Sequence, residues 1–278
     1  MLTNDFHTYL KEQGKAENTI RSYVRCVAAY QSWYLESTGL SMQQLYRANI
    51  LDYMSYLRTV KKLSNGTVNS HLAALACFND FLVGAGVQTE MVLNRRDHLR
   101  VQRQFANPSD LSRQQVEEFR QRVLVKHGKR DHAIVTLLAY AGLRISESLA
   151  LYPEDINLIT REVVIRAGKG DKQRVVFLND KIVNAVQEYL KERPDGCPYL
   201  FVSRLGGQLD RSAINRVFND CSDCITPHKL RHFFCSVAIE AGYSIAEVAN
   251  QAGHSNVHTT LLYTNPTREK MKEKSNRL

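Results

Sequence analysis

The sequence predicts a mainly α-helical chain in two domains, the second carrying one small antiparallel sheet. Apolar residues recur at helical spacing through most of the chain. Only two short runs, Glu162–Arg166 and Arg174–Leu178, are β-branched and strand-like. Between the helical blocks, residues 89–109 change character, with Arg95, Arg96, Arg100 and Arg103 set against Asp97 before Asn107-Pro108. That stretch reads as an extended basic linker, suited to a phosphate backbone.

The first domain, residues 1–88, reads as four or five helices. From Asn18 to Tyr34 the stripe is Ile20, Tyr23, Val24, Val27, Tyr30 and Tyr34, with Asn18 and Thr19 as candidate N-caps. A second stripe runs Val68, Leu72, Leu75, Phe78, Leu82 and stops at Gly84 and Gly86. Met42 to Leu57 suggests a helix between them. Trp33, Tyr23, Tyr30 and Tyr34 are expected in the core.

The second domain, residues 110–278, opens with a capping box, Ser112 and Gln115, starting a helix through Val123. The apolar stretch Ala133–Gly142 follows, then the two strand-like runs. Gly168-Lys169-Gly170-Asp171 between those runs is hairpin chemistry. Helices are expected at Asp180–Lys191, Arg211–Cys221 and Pro227–Ala241. Ser244 and Glu247 start another, and a last short helix should follow Asn256.

Composition narrows the function. The chain has 278 residues, 44% hydrophobic and 23% charged, which excludes a disordered or low-complexity protein. Lys and Arg number 37 against 28 acids, a net charge of +9, which favours a polyanionic partner. The longest apolar run, Ala133–Leu143, is about half of the roughly 20 residues that span a bilayer, so no membrane role is expected. Six scattered cysteines and no signal-like N-terminus suggest reduced thiols and a cytoplasmic location.

The polar residues that punctuate the second domain are rich in fixed positive donors. Arg144 follows Gly142 at a helix end, with Glu147 one turn on. Lys169 sits at the hairpin tip. His228 and Arg231 are three residues apart, His254 follows Gly253, and Tyr263 comes nine residues later. Phosphoryl transfer is catalysed by positioning and by charge stabilisation on phosphate oxygens. Arginine's planar fork suits that task. Tyrosine is a covalent nucleophile once deprotonated, and histidine can take its proton. These residue types match a metal-free transesterification on a phosphodiester.

Ala141-Gly142-Leu143-Arg144-Ile145-Ser146-Glu147, Gly168-Lys169-Gly170, His228-Lys229-Leu230-Arg231-His232, Gly253-His254 and Tyr263 together resemble the tyrosine recombinase (phage integrase) family, in its motif order. Asn18-Thr19-Ile20-Arg21-Ser22-Tyr23 is similar to the start of its helical core-binding domain. The layout is nearest to Xer-type recombinases, integrases and transposon resolvases. The resemblance implies a SAM-like core-binding domain and the DNA breaking-rejoining fold. Tyr263 would form a 3′-phosphotyrosyl bond, Arg144 and Arg231 would clamp the phosphate, and Lys169 would protonate the 5′ oxygen. His228 would assist proton transfer, His254 would hydrogen-bond the phosphate, and Glu147 and His232 would support the site. No ATP, metal or other cofactor would be needed.

The implied partners are double-stranded DNA, other copies of this chain in a tetramer on DNA, and accessory DNA-bending proteins. The implied setting is the bacterial nucleoid. The outcome would be integration, excision or resolution of a mobile element or chromosome dimer. The basic tail, Thr264–Leu278, would dock into a neighbouring protomer. Ala252 and Phe233-Phe234-Cys235 depart from the family pattern without touching a catalytic position. Two alternatives keep the same fold: an enzyme that relaxes supercoils by rejoining the original strand, and a catalytically silent DNA-binding regulator. A zinc reading of Cys221, Cys224, His228 and His232 fails on its Cys-to-His spacing, far short of the roughly 12 residues of a zinc finger. His7, His71, His98, His127, His132 and His258 carry no assignment.

Overall fold

The computed structural model describes residues 2–101, 111–166, 173–253 and 275–276, with the side chains of residues 2–4 and 95 not described. The chain forms two compact units, Met1–Arg103 and Gln104–Leu278.

The first unit is all helix: α1 (Leu2–Glu12), α2 (Glu17–Thr38), α3 (Arg47–Thr59) and α4 (Asn65–Gly84). The N-cap of α2 is Ala16 rather than Asn18 or Thr19, which lie inside its first turn. It ends at Gly39, whose left-handed φ of 71° lets the chain leave the helix. α3 starts later than the apolar pattern suggests, because Met42 and Leu45 are buried from an irregular segment. Ser64 caps α4, its hydroxyl accepting the Thr67 amide at 3.3 Å. The core is aromatic: Phe6 meets Phe78 edge-on at 5.0 Å between centroids, and Tyr30 meets Tyr53 edge-on at 5.1 Å. Tyr30 is fully buried, and Trp33 packs at the edge of the same cluster.

The arginine-rich segment does not run free through residues 92–100. Leu93 is buried in the first unit's core and Leu99 packs against it. Asn69 grips Leu99 by both backbone groups, at 2.8 Å each. Residues Arg95–Asp97 form a 3-10 turn, and Asp97 takes a two-pronged pair from Arg47. Arg96 and Arg100 are exposed; the Arg95 side chain and Arg103 lie outside the described residues.

The second unit is helical around a three-stranded sheet. Its elements are α5 (Arg113–His127), α6 (Lys129–Tyr140), α7 (Ile145–Leu149), β1 (Ile156–Asn157), β2 (Glu162–Ile165), β3 (Arg174–Phe177), α8 (Asp180–Leu190), α9 (Arg211–Cys221), α10 (Pro227–Glu240) and α11 (Ile245–Ala252). Both predicted capping boxes form, at Ser112 with Gln115 and at Ser244 with Glu247. The sheet order is β1-β2-β3, all antiparallel, with Val163 opposite Val176 and Ile165 opposite Arg174. β1 and α7 are additions to the predicted set. The hairpin tip with Gly168–Asp171 and the helix expected after Asn256 fall outside the described residues. α6 is buried along most of its length and packs against α5, α8 and α10. Phe119, Leu138, Val176, Val186, Phe218 and Phe233 are fully or almost fully buried in this core. Among the described residues no helix is long and apolar enough to cross a membrane.

Candidate active site

Arg144 is placed by a turn that only glycine fits. Gly142 has φ 65°, and a Cβ there would lie 2.2 Å from a ring carbon of Phe234. The chain reverses after α6, buries Leu143, and sets Arg144 as the N-cap of α7. Glu147 closes that turn: its Oε2 accepts the Arg144 backbone N–H at 2.8 Å, and its Oε1 accepts from Arg144 Nη1 at 2.8 Å. Arg144 Nη2 also donates to the Gly253 carbonyl at 2.7 Å, where α11 ends in a left-handed residue.

Arg174, at the start of β3, completes the Glu147 carboxylate. It donates from Nη1 to Oε1 at 3.0 Å and from Nη2 to Oε2 at 2.8 Å, with a further bond from Nε to the Gln251 carbonyl at 3.2 Å. The side chains of Glu147 and Arg174 are 4% and 9% exposed, so this ion pair is buried and fully hydrogen-bonded, the arrangement in which a buried charge is tolerable. Burial pushes the Glu147 carboxyl upward, but the bonds from Arg174 and Arg144 outweigh it and hold the pKa below the usual carboxylate range. The acid is ionised at neutral pH.

Arg231 comes from α10, where Thr226 caps the helix and Pro227 fills its first position. Arg231 Nη1 donates to the Gly142 carbonyl at 2.7 Å, two residues before Arg144. It is buried, and burial together with the charge of Arg144 pulls its pKa down to about 10, which still leaves it charged at neutral pH. His228 and His232 sit one turn apart on α10, their Nε2 atoms 2.7 Å apart, so one ring donates to the other. Burial first, then neighbouring Arg231, lowers the pKa of His228. Burial, then His228 and Arg231, takes His232 down to about 4. Both rings are therefore neutral at pH 7, and a neutral imidazole can accept a proton.

The described residues thus bring together Arg144, Glu147, Arg231, His228 and His232 from the predicted set. Lys169, His254 and Tyr263 lie outside the described residues. Arg174 is the residue the motif reading missed. Its only sequence signal is a cation at the head of an otherwise apolar strand. Among the described residues, potential metal ligands gather instead at His127, Asp220 and Cys221, within 4.8 Å. There His127 Nε2 lies 2.9 Å from Asp220 Oδ2, and the Lys126 ammonium lies 3.6 Å from the same oxygen, a charge that opposes a bound cation.

One turn thus gathers Arg144 and Arg231, Glu147 orients Arg144 and Arg174, and a neutral histidine pair lies on α10 beside Arg231. Comparisons with known proteins place the chain in a family. The chain matches the phage integrase family over residues 109–270, and the N-terminal SAM-like domain of phage integrases over residues 2–85. It is 47% identical over 278 residues to the TnP I resolvase of Bacillus thuringiensis, covering 98% of each chain. It is 32% identical to the tyrosine recombinase XerA of Thermococcus kodakarensis, across 97% of this chain and 92% of that one. The Tn1549 transposon integrase, solved in complex with transposon right end DNA, shares the fold at 19% identity, with a TM-score of 0.73 over 99% of this chain and 98% of that one. The protein belongs to the phage integrase family, the tyrosine recombinases.

Proposed function

We propose that the chain is a site-specific DNA recombinase that cleaves and rejoins strands by transesterification at Tyr263. The carrying observation is the bond from Arg231 to the Gly142 carbonyl, which gathers two arginines 87 positions apart at one turn. In this reading the Tyr263 phenol oxygen attacks the scissile phosphorus as its proton passes to His228. A bond forms from phosphorus to the tyrosine oxygen, the bond to the 5′ oxygen breaks, and Lys169 donates a proton to that oxygen. Arg144 and Arg231 neutralise the non-bridging oxygens, with His254 as a further donor. The 5′-hydroxyl of a partner strand then attacks the phosphotyrosine, passing its proton to the now neutral Lys169, as the bond to the tyrosine oxygen breaks and His228 returns the proton to the phenol. One ester replaces another, so the sequence of steps needs no external energy source.

The family and the DNA-bound integrase support duplex DNA as substrate. Exchange between two duplexes engages four active sites, so we assign a homotetramer on DNA, with accessory DNA-bending proteins where site geometry demands them and the tail Thr264–Leu278 as a contact between protomers. The identity to a resolvase favours resolution of joined DNA over integration. Arg95, Arg96, Arg100 and Arg103 are assigned to the phosphate backbone, so binding should fall steeply with salt.

The test is a suicide duplex nicked beside the cleavage site. Wild type should leave a protein–DNA adduct on a denaturing gel, and Tyr263→Phe should leave none. Absence of the wild-type adduct, or its persistence in Tyr263→Phe, defeats the reading. Arg144→Ala should cost about 2.7–4 kcal/mol of transition-state stabilisation, read from the single-turnover rate.

A further inference from the structure

Arg174 is tied to three elements at once. It heads β3, it grips both oxygens of Glu147 on α7, and it donates to the last turn of α11 through the Gln251 carbonyl. These are the elements from which three assigned residues depart in sequence: Lys169 five residues before Arg174, Arg144 at the cap of α7, and His254 just after Gly253. Glu147 in turn fixes Arg144 by its backbone and its guanidinium. Two of the five N–H donors of Arg144 are thereby directed, one to Glu147 and one to Gly253.

We infer that Arg174 is a positioning residue for strand cleavage: by occupying both oxygens of Glu147 it prevents that carboxylate from chelating Arg144, and so leaves the Arg144 fork aimed at the phosphate. This rests on the reading of Arg144 as the phosphate clamp.

The geometry explains why. A carboxylate that faces a single arginine takes it two-pronged, because two parallel N–H bonds are the strongest arrangement available. Here the two-pronged partner is Arg174, and Arg144 receives only one side-chain bond, at Oε1. Removing Arg174 leaves Oε1 with Arg144 Nη1 and Oε2 with the Arg144 amide, opens one acceptor position on each oxygen, and lets Oε2 take the second prong of the Arg144 fork. Lysine cannot replace Arg174 in this task, since an ammonium is a point charge and does not span both oxygens. Charge contributes as well. Arg144, Arg174 and Arg231 against Glu147 give the described cluster a net +2. A phosphorane carries one more negative charge than the diester it forms from, so a cluster of this sign favours the transition state over the bound substrate.

The experiment measures single-turnover adduct formation on the nicked duplex beside equilibrium binding to the same DNA, for wild type, Arg174→Ala, Arg174→Lys, Arg144→Ala and the double Arg144→Ala/Arg174→Ala variant. Arg174→Ala should slow cleavage by about 100-fold or more, as loss of an oriented donor does, with DNA affinity held within about threefold. Arg174→Lys should remain at least about tenfold slow despite its retained charge. The double variant should be no slower than the slower single one, because both changes remove one function. The inference is overturned if folded Arg174→Ala cleaves within threefold of wild type, if Arg174→Lys is fully active, or if the two losses multiply. Where Arg174→Ala does not fold by circular dichroism, Arg174→Lys, which keeps the charge beside Glu147, decides alone. An inactive wild type would instead sink the recombinase reading itself, a result distinct from a selective effect at Arg174.

Discussion

The two units bury polar groups in different ways. In the first, tyrosine hydroxyls aside, the buried polar side chains among the described residues are two amides, Asn79 and Gln88. Each is a latch for irregular backbone: Gln88 exchanges two bonds of 3.1 Å with Leu45, and Asn79 accepts the Val92 amide at 2.7 Å. The second unit buries charge: Arg120, Asp131, Glu147, Asp155 and Arg231, with His132 beside them. Arg120 alone reaches Thr136, Glu117 and His132. An amide network holds a shape at little electrostatic cost. A charge network is costly to bury and is tolerated only where its members are paired and hydrogen-bonded. The contrast separates a unit whose interior amides hold irregular backbone from one whose interior carries ion pairs.

The sharpest way to break that contrast is Glu147→Ala. It leaves Arg174 buried without its partner and should cost about 3–5 kcal/mol, measured by urea unfolding followed by circular dichroism. Trp33, the sole tryptophan, reports on the first unit alone. Its fluorescence midpoint should not move; a parallel shift would mean that the two cores are not separate. Leu72→Ala is the converse, a fully buried truncation in the first unit. It should lower the Trp33 midpoint by about 2–5 kcal/mol. Gln88→Ala strands the amide and carbonyl of Leu45 and should cost about 1–3 kcal/mol on the same probe.

Acidification gives a subtler test. Burial, followed by Arg120, takes His132 down to about 4, and His232 lies equally low. Both bind protons more weakly folded than unfolded, where the pKa is about 6.5. Their stabilisation is complete above pH 6.5 and is lost as pH falls toward 4. In the first unit, His71 is lowered as well, by burial and then by Arg25. Between pH 7 and 4.5 the second unit should therefore lose more stability than the first. A steeper fall on the Trp33 probe than by circular dichroism would reverse the comparison. The smallest effect belongs to Tyr30, whose buried hydroxyl has no hydrogen-bond partner among the described residues. Tyr30→Phe should leave the Trp33 midpoint unchanged or raise it by up to about 1 kcal/mol.

Legibility in the sequence followed element length and side-chain chemistry. The capping boxes at Ser112 and Ser244 and the span Arg211–Cys221 were readable because caps and amphipathic stripes are local signals. β1, two residues long, and α7, five residues long, are too short to display a period. The arginines of residues 95–103 masked Leu93 and Leu99, whose burial draws that stretch onto the first unit. In the site, motif order pointed to Arg144, Glu147, His228 and Arg231 as a group. Arg174 was illegible because a cation at a strand end looks like a solvated charge, and its partner Glu147 lies 27 positions away. The departure at Phe233-Phe234 has a physical counterpart: Phe234 lies against Gly142 under the turn that holds Arg144.

Gly253 enters the guanidinium cluster with main chain rather than a side chain. Its carbonyl receives Arg144, its φ is 64°, and a methyl group on its Cα would come within 2.6 Å of the Arg174 guanidinium. Any other residue there must displace a cation pinned on both prongs while adopting a disfavoured backbone. The residue immediately before His254 therefore tolerates no decoration, and a random library at codon 253 should return glycine from selection for strand exchange even though that residue contributes no side chain of its own.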